Sequence, residues 1–195
     1  MPRNTASPVT LPDEFNLVRR SQGGDANAFA SLYDAYVERI YRYIFFRVAD
    51  DKLAEDITSL VFLKACEKLD TYRPGTSTFI AWLYRVAHNA VIDEYRTRKV
   101  TVRLDDTQPT EVHHEDGTDE RIDLQFEARQ LRQALSELTE EQRQVLVLKF
   151  INDLSTQEIA EQLGKQPGAI RALQMRALQG LARILGTEKA QANGR

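Results

Sequence analysis

Residues 155–185 read STQEIAEQLGKQPGAIRALQMRALQGLARIL, and this stretch decides the fold. Ser155 is a strong N-cap, and Glu158, three residues on, can reach back to the cap's own N–H and complete a capping box. Ile159 and Leu163 give the short helix one apolar side. Gly164 ends it, because a left-handed backbone is cheap only without a Cβ. The turn Lys165-Gln166-Pro167-Gly168 follows, and a second helix begins whose Ile170 and Leu173 face back towards the first. Small Ala160 allows a close crossing. This is the spacing of a helix-turn-helix. The second helix turns Gly168, Arg171, Ala172 and Met175 outward, with Arg176 beside them. Its charges from Gly168 to Leu185 are Arg171, Arg176 and Arg183, without an acid. A helix carrying only positive charge suits a groove lined by phosphates. An ordinary helical hairpin is the plainer alternative. The coincidence of cap, small residue, turn glycine, apolar spacing and acid-free second helix favours the DNA-binding motif.

Working outward, the rest of the chain is also helical in pattern. Asp25 can cap a long helix in which Phe29, Leu32, Tyr33, Tyr36, Ile40, Ile44 and Val48 recur at helical spacing. Asp50-Asp51 breaks it and caps the next helix, with Leu53, Ile57, Leu60, Val61, Ala65 and Leu69 as its apolar positions. After a loop with Arg73, Pro74 and Gly75, Ser77 or Thr78 starts a third long helix, FIAWLYRVAHNAVIDEYRTRK. Its apolar line is Ile80, Leu83, Ala87 and Val91. Arg85, Asn89, Arg96 and Lys99 lie near a second line, with Arg98 and Arg103 following. That stretch alone fits a solvated amphipathic helix as well as a DNA-facing one. With no useful alternating pattern, the fold class expected is all-α: two small helical domains joined by a flexible acidic linker, the second a helix-turn-helix domain.

The expected organisation is a disordered N-terminus over 1–13, a first domain over 14–103, a linker over 104–125, a second domain over 126–186 and a polar tail over 187–195. The linker carries Asp105, Asp106, Glu111, Glu115, Asp116, Asp119, Glu120 and Asp123 against Arg121, with Pro109, Gly117 and no apolar period. Beyond it, Leu131, Leu135 and Leu138 resume the helical pattern. Thr139 and Gln142 offer another capping box before Val145, Leu146, Leu148, Phe150 and Ile151.

The 195 residues carry a net charge of −3, so nucleic-acid contact must use local basic faces against an acidic remainder. A single cysteine, Cys66, permits no internal disulfide and fits a reducing compartment. Its apolar helix suggests an inert core thiol. Trp82, beside Leu83 and Phe79, reads as core more readily than as a base-stacking platform, and His88 as structural. His113-His114 beside Glu115-Asp116 reads as a solvated loop rather than a metal site. The sequence shows neither a signal peptide nor an apolar run long enough to span a bilayer, so a cytoplasmic protein without membrane partners is expected. No nucleophile–base pair, phosphate loop or metal-spaced cluster is evident, so neither enzymatic activity nor a cofactor is expected.

Taken together, Asn16 to Leu185 resemble an extracytoplasmic-function (ECF) sigma factor of the sigma-70 family. AEDITSLVFLKA (Ala54 to Ala65) resembles the family's polymerase-binding helix, FIAWLYRVAHNAVIDEYRTRK its −10-reading helix, and LSTQEIAEQLGKQPGAIRALQMRAL its −35-reading helix-turn-helix. There are departures. The family commonly has an acid where Leu53 stands and a glutamate where Leu60 stands. It often has Thr and Ser at the positions of Ala169 and Ala172, so two hydroxyls are missing here.

The resemblance implies a promoter-specificity subunit that does no bond chemistry. Core RNA polymerase would be met by Glu55, Asp56, Ser59, Leu60 and Leu63. The −10 DNA would be met by Arg73, Ser77, Thr78, Arg85, Asn89, Arg96, Arg98 and Lys99, the loop Arg73 to Phe79 capturing a base flipped from the melted strand. The −35 duplex would be met by Ser155, Thr156, Gln166, Gly168, Ala169, Arg171, Ala172, Met175 and Arg176. It further implies that the acidic linker follows the polymerase's RNA path. With only a short polar tail after Leu185, it also implies control by a separate anti-sigma factor. A conventional repressor or activator would share the helix-turn-helix but would not need the first domain's basic helix. An enzyme with an appended DNA-binding domain is the more distant alternative.

Overall fold

The computed structural model describes residues 11, 13–48, 50–75, 77–101 and 119–192, and side chains among them except those of 98–101, 119–126 and 187–192. Eight helices are described: α1 (Glu14–Gln22), α2 (Ala26–Phe45), α3 (Asp51–Glu67), α4 (Phe79–Thr101), α5 (Asp119–Ser136), α6 (Glu140–Leu146), α7 (Thr156–Leu163) and α8 (Pro167–Ala192). A 3-10 turn, Leu69–Thr71, follows α3, and a π-helical turn, Val147–Ile151, follows α6. The described residues contain no strand; Pro74 and Ser77 form an isolated bridge.

The caps expected from sequence set the helix starts. The Asp25 carboxylate accepts the N–H groups of Asn27 and Ala28 at 3.0 and 3.1 Å, and Asp50 accepts that of Leu53 at 2.7 Å. The Thr78 hydroxyl accepts the Ala81 N–H at 3.4 Å. Full capping boxes close α6 (Thr139, Gln142) and α7 (Ser155, Glu158). Each satisfies N–H groups that the first helical turn leaves without partners. Gly164 ends α7 at φ 62°, and its N–H is the terminating group. Replacing it with alanine is expected to cost about 1–2 kcal/mol, the penalty of a left-handed non-glycine residue. A lower urea midpoint with an unchanged slope checks this.

Leu32, Ile40 and Ile44 of α2, Ala54, Ile57 and Val61 of α3, and Leu83, Ala87 and Val91 of α4 build one core. Val145, Leu148, Ile159, Ile170 and Ala177 continue the same buried cluster through the second helical group. Burying a side chain of this size stabilises by about 1.5–3 kcal/mol, which holds α7 and α8 at their crossing.

Three sequence expectations are corrected and one helix is added. Residues 14–22 form α1, which the apolar pattern did not announce, since only Val18 is buried. α5 begins at Asp119, inside the stretch expected to be linker; acids such as Asp119 and Glu120 suit a helix N-terminus. Cys66 is exposed rather than in the core, because α3 buries Val61, Phe62 and Ala65 and turns Cys66 away from that line. Phe150 is 53% exposed: it stands two positions after buried Leu148, about 200° round a helix, and so on the opposite side. Residues 102–118, with His113-His114 and most of the acidic stretch, lie outside the described residues, as do 1–10.

The two helical groups are packed against each other along a polar seam. Arg47, at the end of α2, is wholly buried; its guanidinium pairs with the Glu140 carboxylate of α6, donates to the Tyr43 hydroxyl and lies 4.8 Å from the centre of the Tyr43 ring. Gln144 reaches the Tyr43 hydroxyl at 3.3 Å and His88 Nδ1 at 2.9 Å. Arg143 donates to the Arg47 carbonyl at 3.1 Å, and Asn152 donates to the Arg39 carbonyl at 3.1 Å. Asp51 is paired with Arg129 and Arg132 at 3.1 and 2.7 Å. Burial pushes the Asp51 carboxyl up, but the two guanidiniums outweigh it and hold the group below its ordinary value. Arg132 also lies 4.1 Å from the centre of the Phe45 ring, a cation–π contact.

Candidate nucleic-acid interface

Three surfaces gather the residues singled out in the sequence. The first is the outer side of α8. Ala169, Arg171, Ala172, Met175 and Arg176 are all exposed there, with Gly168 and Gln166 at its leading end. Ile170 and Leu173 point the other way into the core, which fixes this outward register. Arg176 Nε donates to the Ala172 carbonyl at 3.3 Å, so its stem lies back along the helix. Ser155 and Thr156 stand at the start of α7, where N–H groups can receive a phosphate; Ser155 is exposed and Thr156 half-buried.

The second surface is α4 and the loop before it. Arg73, Thr78, Arg85, Asn89 and Arg96 are exposed and Ser77 is half-buried. Arg85 donates to the Ser77 hydroxyl at 2.8 Å, tying helix to loop, and the Tyr72 hydroxyl donates to the Ser77 carbonyl at 2.7 Å. Arg96 stands 4.0 Å from Asp93. Arg98 and Lys99 continue α4, but their side chains lie outside the described residues. Trp82 is half-buried in an aromatic cluster, its ring centre 5.4 Å from those of Tyr72 and Phe79, and so serves the core beneath the loop.

In this arrangement the second surface is partly covered. Ser77, Thr78 and Arg85 share a cavity of about 330 Å³ with Glu158, Glu161 and Gln162 of α7. Arg85 and Asn89 also line a cleft of about 460 Å³ closed from the other side by Glu140, Glu141, Gln144 and Lys165. The carboxylates of α6 and α7 thus stand where a nucleic-acid strand along α4 would lie. Among the described residues the outer side of α8 carries no such cover.

The third surface is on α3. Glu55, Asp56, Ser59, Leu60 and Leu63 are all exposed and share one face by their helical spacing. Leu60 is 39% and Leu63 58% exposed, so two large apolar side chains stand in water beside the acids. Leu53 is half-buried and packs against the core. Among the described residues, no three His, Cys, Asp or Glu side chains form a metal-sized group, and no helix is long and apolar enough to cross a membrane.

His88 links the second surface to the seam. Burial lowers its pKa, Arg47 lowers it further, and Glu140 opposes both. Because the folded value is depressed, the stability that neutral His88 supplies is complete above the ordinary value of about 6.5 and is lost as pH falls towards the folded one. Acidification from pH 7.5 to 5 is therefore expected to loosen the seam, read as a growing distance between fluorophores on α3 and α8. His88→Gln should remove the part of the acid response that titrates with this group. An identical response in wild type and variant would place the sensitivity elsewhere.

Comparison with known proteins resolves the relation between these surfaces. Residues 32–101 match Sigma-70 region 2, and residues 128–181 match Sigma-70, region 4. RNA polymerase sigma factor YlaC of Bacillus subtilis is 31% identical over 141 residues, which are 71% of this chain and 80% of that protein. The chain belongs to the sigma-70 family, in its ECF group. The ECF RNA polymerase sigma factor BldN of Streptomyces coelicolor is 35% identical over 170 residues, 87% of this chain; the chain spans 64% of that relative's length. SigW of Bacillus subtilis, another ECF sigma factor, is 29% identical over 178 residues, 86% of this chain and 94% of that one. Among solved structures, CnrH in complex with the cytosolic domain of CnrY shares the fold, with a TM-score of 0.70 at 22% identity over 90% of this chain and 99% of that one. In this sigma factor α2 to α4 fall within the region 2 match from Leu32 onward, and α6 and α7 within the region 4 match. α1 precedes the region 2 match.

Two groups of residues carry the arrangement without having been visible in the sequence. Glu14 and Gln22 of α1 bond to the loop before α4, and Arg47, Glu140 and Gln144 hold the seam. Partners such as Arg47 and Glu140, 93 positions apart, leave no local signal.

Proposed function

We propose that this ECF sigma factor directs core RNA polymerase to promoters by reading a −10 and a −35 element, and that it aids strand opening without doing bond chemistry. The observation that carries the reading is the order of the two matches: region 2, with exposed acids and leucines on α3 and basic residues along α4, precedes region 4, with an outer face on α8 that carries no acid from Gly168 to Leu185. In this reading Glu55, Asp56, Ser59, Leu60 and Leu63 meet the polymerase. Arg73, Ser77, Thr78, Arg85, Asn89, Arg96, Arg98 and Lys99 hold the −10 strand. Extruding a base from the stack costs a few kcal/mol, which a pocket at the loop Arg73 to Phe79 must offset by stacking and hydrogen bonds. Gln166, Gly168, Ala169, Arg171, Ala172, Met175 and Arg176 enter the −35 major groove, while the amides at Ser155 and Thr156 take a backbone phosphate. The working compartment is the cytoplasm, where the polymerase is.

The domain bounds follow the same reading: 14–103 for polymerase and −10 contact and 126–186 for −35 contact, with α5 reaching back into the acidic stretch between them. A separate anti-sigma factor is the regulator it implies. RpoE of Bartonella quintana, which shares the fold with a TM-score of 0.64 at 22% identity over 81% of this chain and 96% of that one, was solved in complex with the anti-sigma factor NepR.

In-vitro transcription tests the function. The chain added to core polymerase alone should start transcripts at a defined promoter, which a repressor or a stand-alone activator does not do. Failure with core polymerase, alongside specific duplex binding by the chain by itself, would favour the regulator instead.

A further inference from the structure

The loop read above as the base-capturing element is gripped at both ends by α1, which lies before the region 2 match. Where the chain enters the loop, Gln22 Nε2 donates to the carbonyls of Leu69 and Tyr72, each at 3.0 Å. Where the chain leaves it, Glu14 Oε1 accepts the N–H of Phe79, the first residue of α4, at 3.3 Å. The other Glu14 oxygen accepts the Tyr36 hydroxyl, so the carboxylate is tied to α2 and α4 at once. It sits at a helix N-terminus, where negative charge is favoured. Between the two grips the chain turns back through Gly75 at φ 95°, a conformation that a side chain would resist. The aromatic rings of Tyr36, Tyr72 and Phe79 pack below it. A loop of this kind, released at either stem, would have to be ordered anew each time it received a base, and that ordering weakens capture.

We propose that Glu14 and Gln22 are positioning residues for promoter opening: α1 fixes in advance the two stems, at Tyr72 and Phe79, between which an unstacked base would be received. This rests on the reading of the loop Arg73 to Phe79 given under the proposed function. Neither side chain needs to touch DNA. Both act through the backbone of the loop stems.

The test uses the full chain with core polymerase and a promoter carrying the fluorescent base 2-aminopurine in the melted −10 strand. Glu14→Ala and Gln22→Met are each expected to reduce base capture about five- to tenfold, the scale of one or two lost hydrogen bonds. Binding to core polymerase and to a −35 duplex should stay within about twofold of wild type. Glu14→Gln keeps an acceptor oxygen for the Phe79 N–H and should recover capture to within about threefold of wild type. Arg73→Ala and Thr78→Ala, changes in the loop itself, serve as reference. If they reduce capture while Glu14→Ala and Gln22→Met do not, the loop reading stands and the role of α1 is overturned. If the loop changes have no effect either, the loop reading has failed and the proposal with it. Loss of core-polymerase binding and of the thermal transition in step with capture, in both α1 variants, would reduce α1 to a general folding element and also overturn it.

Discussion

Glu140→Ala is expected to open the seam between the two helical groups while leaving each folded. Arg47 is fully buried, and the Glu140 carboxylate is the acid paired with it. Removing one partner of a buried pair leaves an uncompensated charge and costs about 3–5 kcal/mol. Glu140 is itself about a third exposed, at 32%, so water screens part of the interaction and the lower end, about 3 kcal/mol, is the figure to expect. The loss falls on the seam because Arg47 follows α2 and Glu140 begins α6. Once the seam parts, water can solvate Arg47, at the cost of exposing the apolar contacts that join the two groups. The variant should therefore show a larger radius by small-angle scattering and two resolved thermal transitions. Adding Arg47→Met should recover part of the loss, since replacing both partners by apolar groups is often close to neutral. One cooperative transition at the wild-type temperature in Glu140→Ala would show that the pair does not hold the seam.

Arg171→Ala is expected to alter which −35 sequence is preferred, and Arg176→Ala to weaken all sequences alike. Both side chains are exposed on the outer face of α8, but Arg171 stands nearer the end that would enter a groove. An arginine there can span guanine O6 and N7 with two donors, and losing such a pair costs about 1–3 kcal/mol, roughly five- to 150-fold, at one base position. Arg176 lies back along its own helix, with Nε on the Ala172 carbonyl, a posture suited to the phosphate backbone. Its removal should flatten the salt dependence of binding by about one unit of slope. Titrating each variant against single-base changes of the −35 element separates the roles. The reverse pattern would exchange them, and no effect from either would mean that α8 does not read the element.

The parts of this fold that were legible in the sequence are those whose signal is local. Ser155 with Glu158, Thr139 with Gln142, Asp25 and Asp50 each sit within three residues of the N–H groups they satisfy, so the caps mark helix starts directly. The outward register of α8 followed from Ile170 and Leu173 facing inward. What escaped depends on distant contacts. α1 has one buried residue, Val18, and its Gln22 finds partners at Leu69 and Tyr72, so nothing in residues 14–22 alone announces it. Phe150 shows that an apolar run does not mark a face: it stands about 200° round the helix from buried Leu148 and is exposed. The −10 candidates could be named one by one from α4, but their cover by α7 is a product of packing between remote segments.

That cover has a consequence for how the free protein meets DNA. If α4 holds the melted strand as proposed, that strand meets Glu158 and Glu161 across the cavity they share with Ser77, Thr78 and Arg85, whereas the outer face of α8 has no such neighbours among the described residues. If the form with the seam shut is favoured by a few kcal/mol, the open form is a small minority of the free molecules. The apparent affinity of any surface that needs the open form falls in proportion to that minority. A polymerase that holds the two domains apart removes the handicap. One promoter sequence then has two affinities, faint for the protein alone and strong for the same protein spread on its polymerase, with every DNA-facing side chain unchanged.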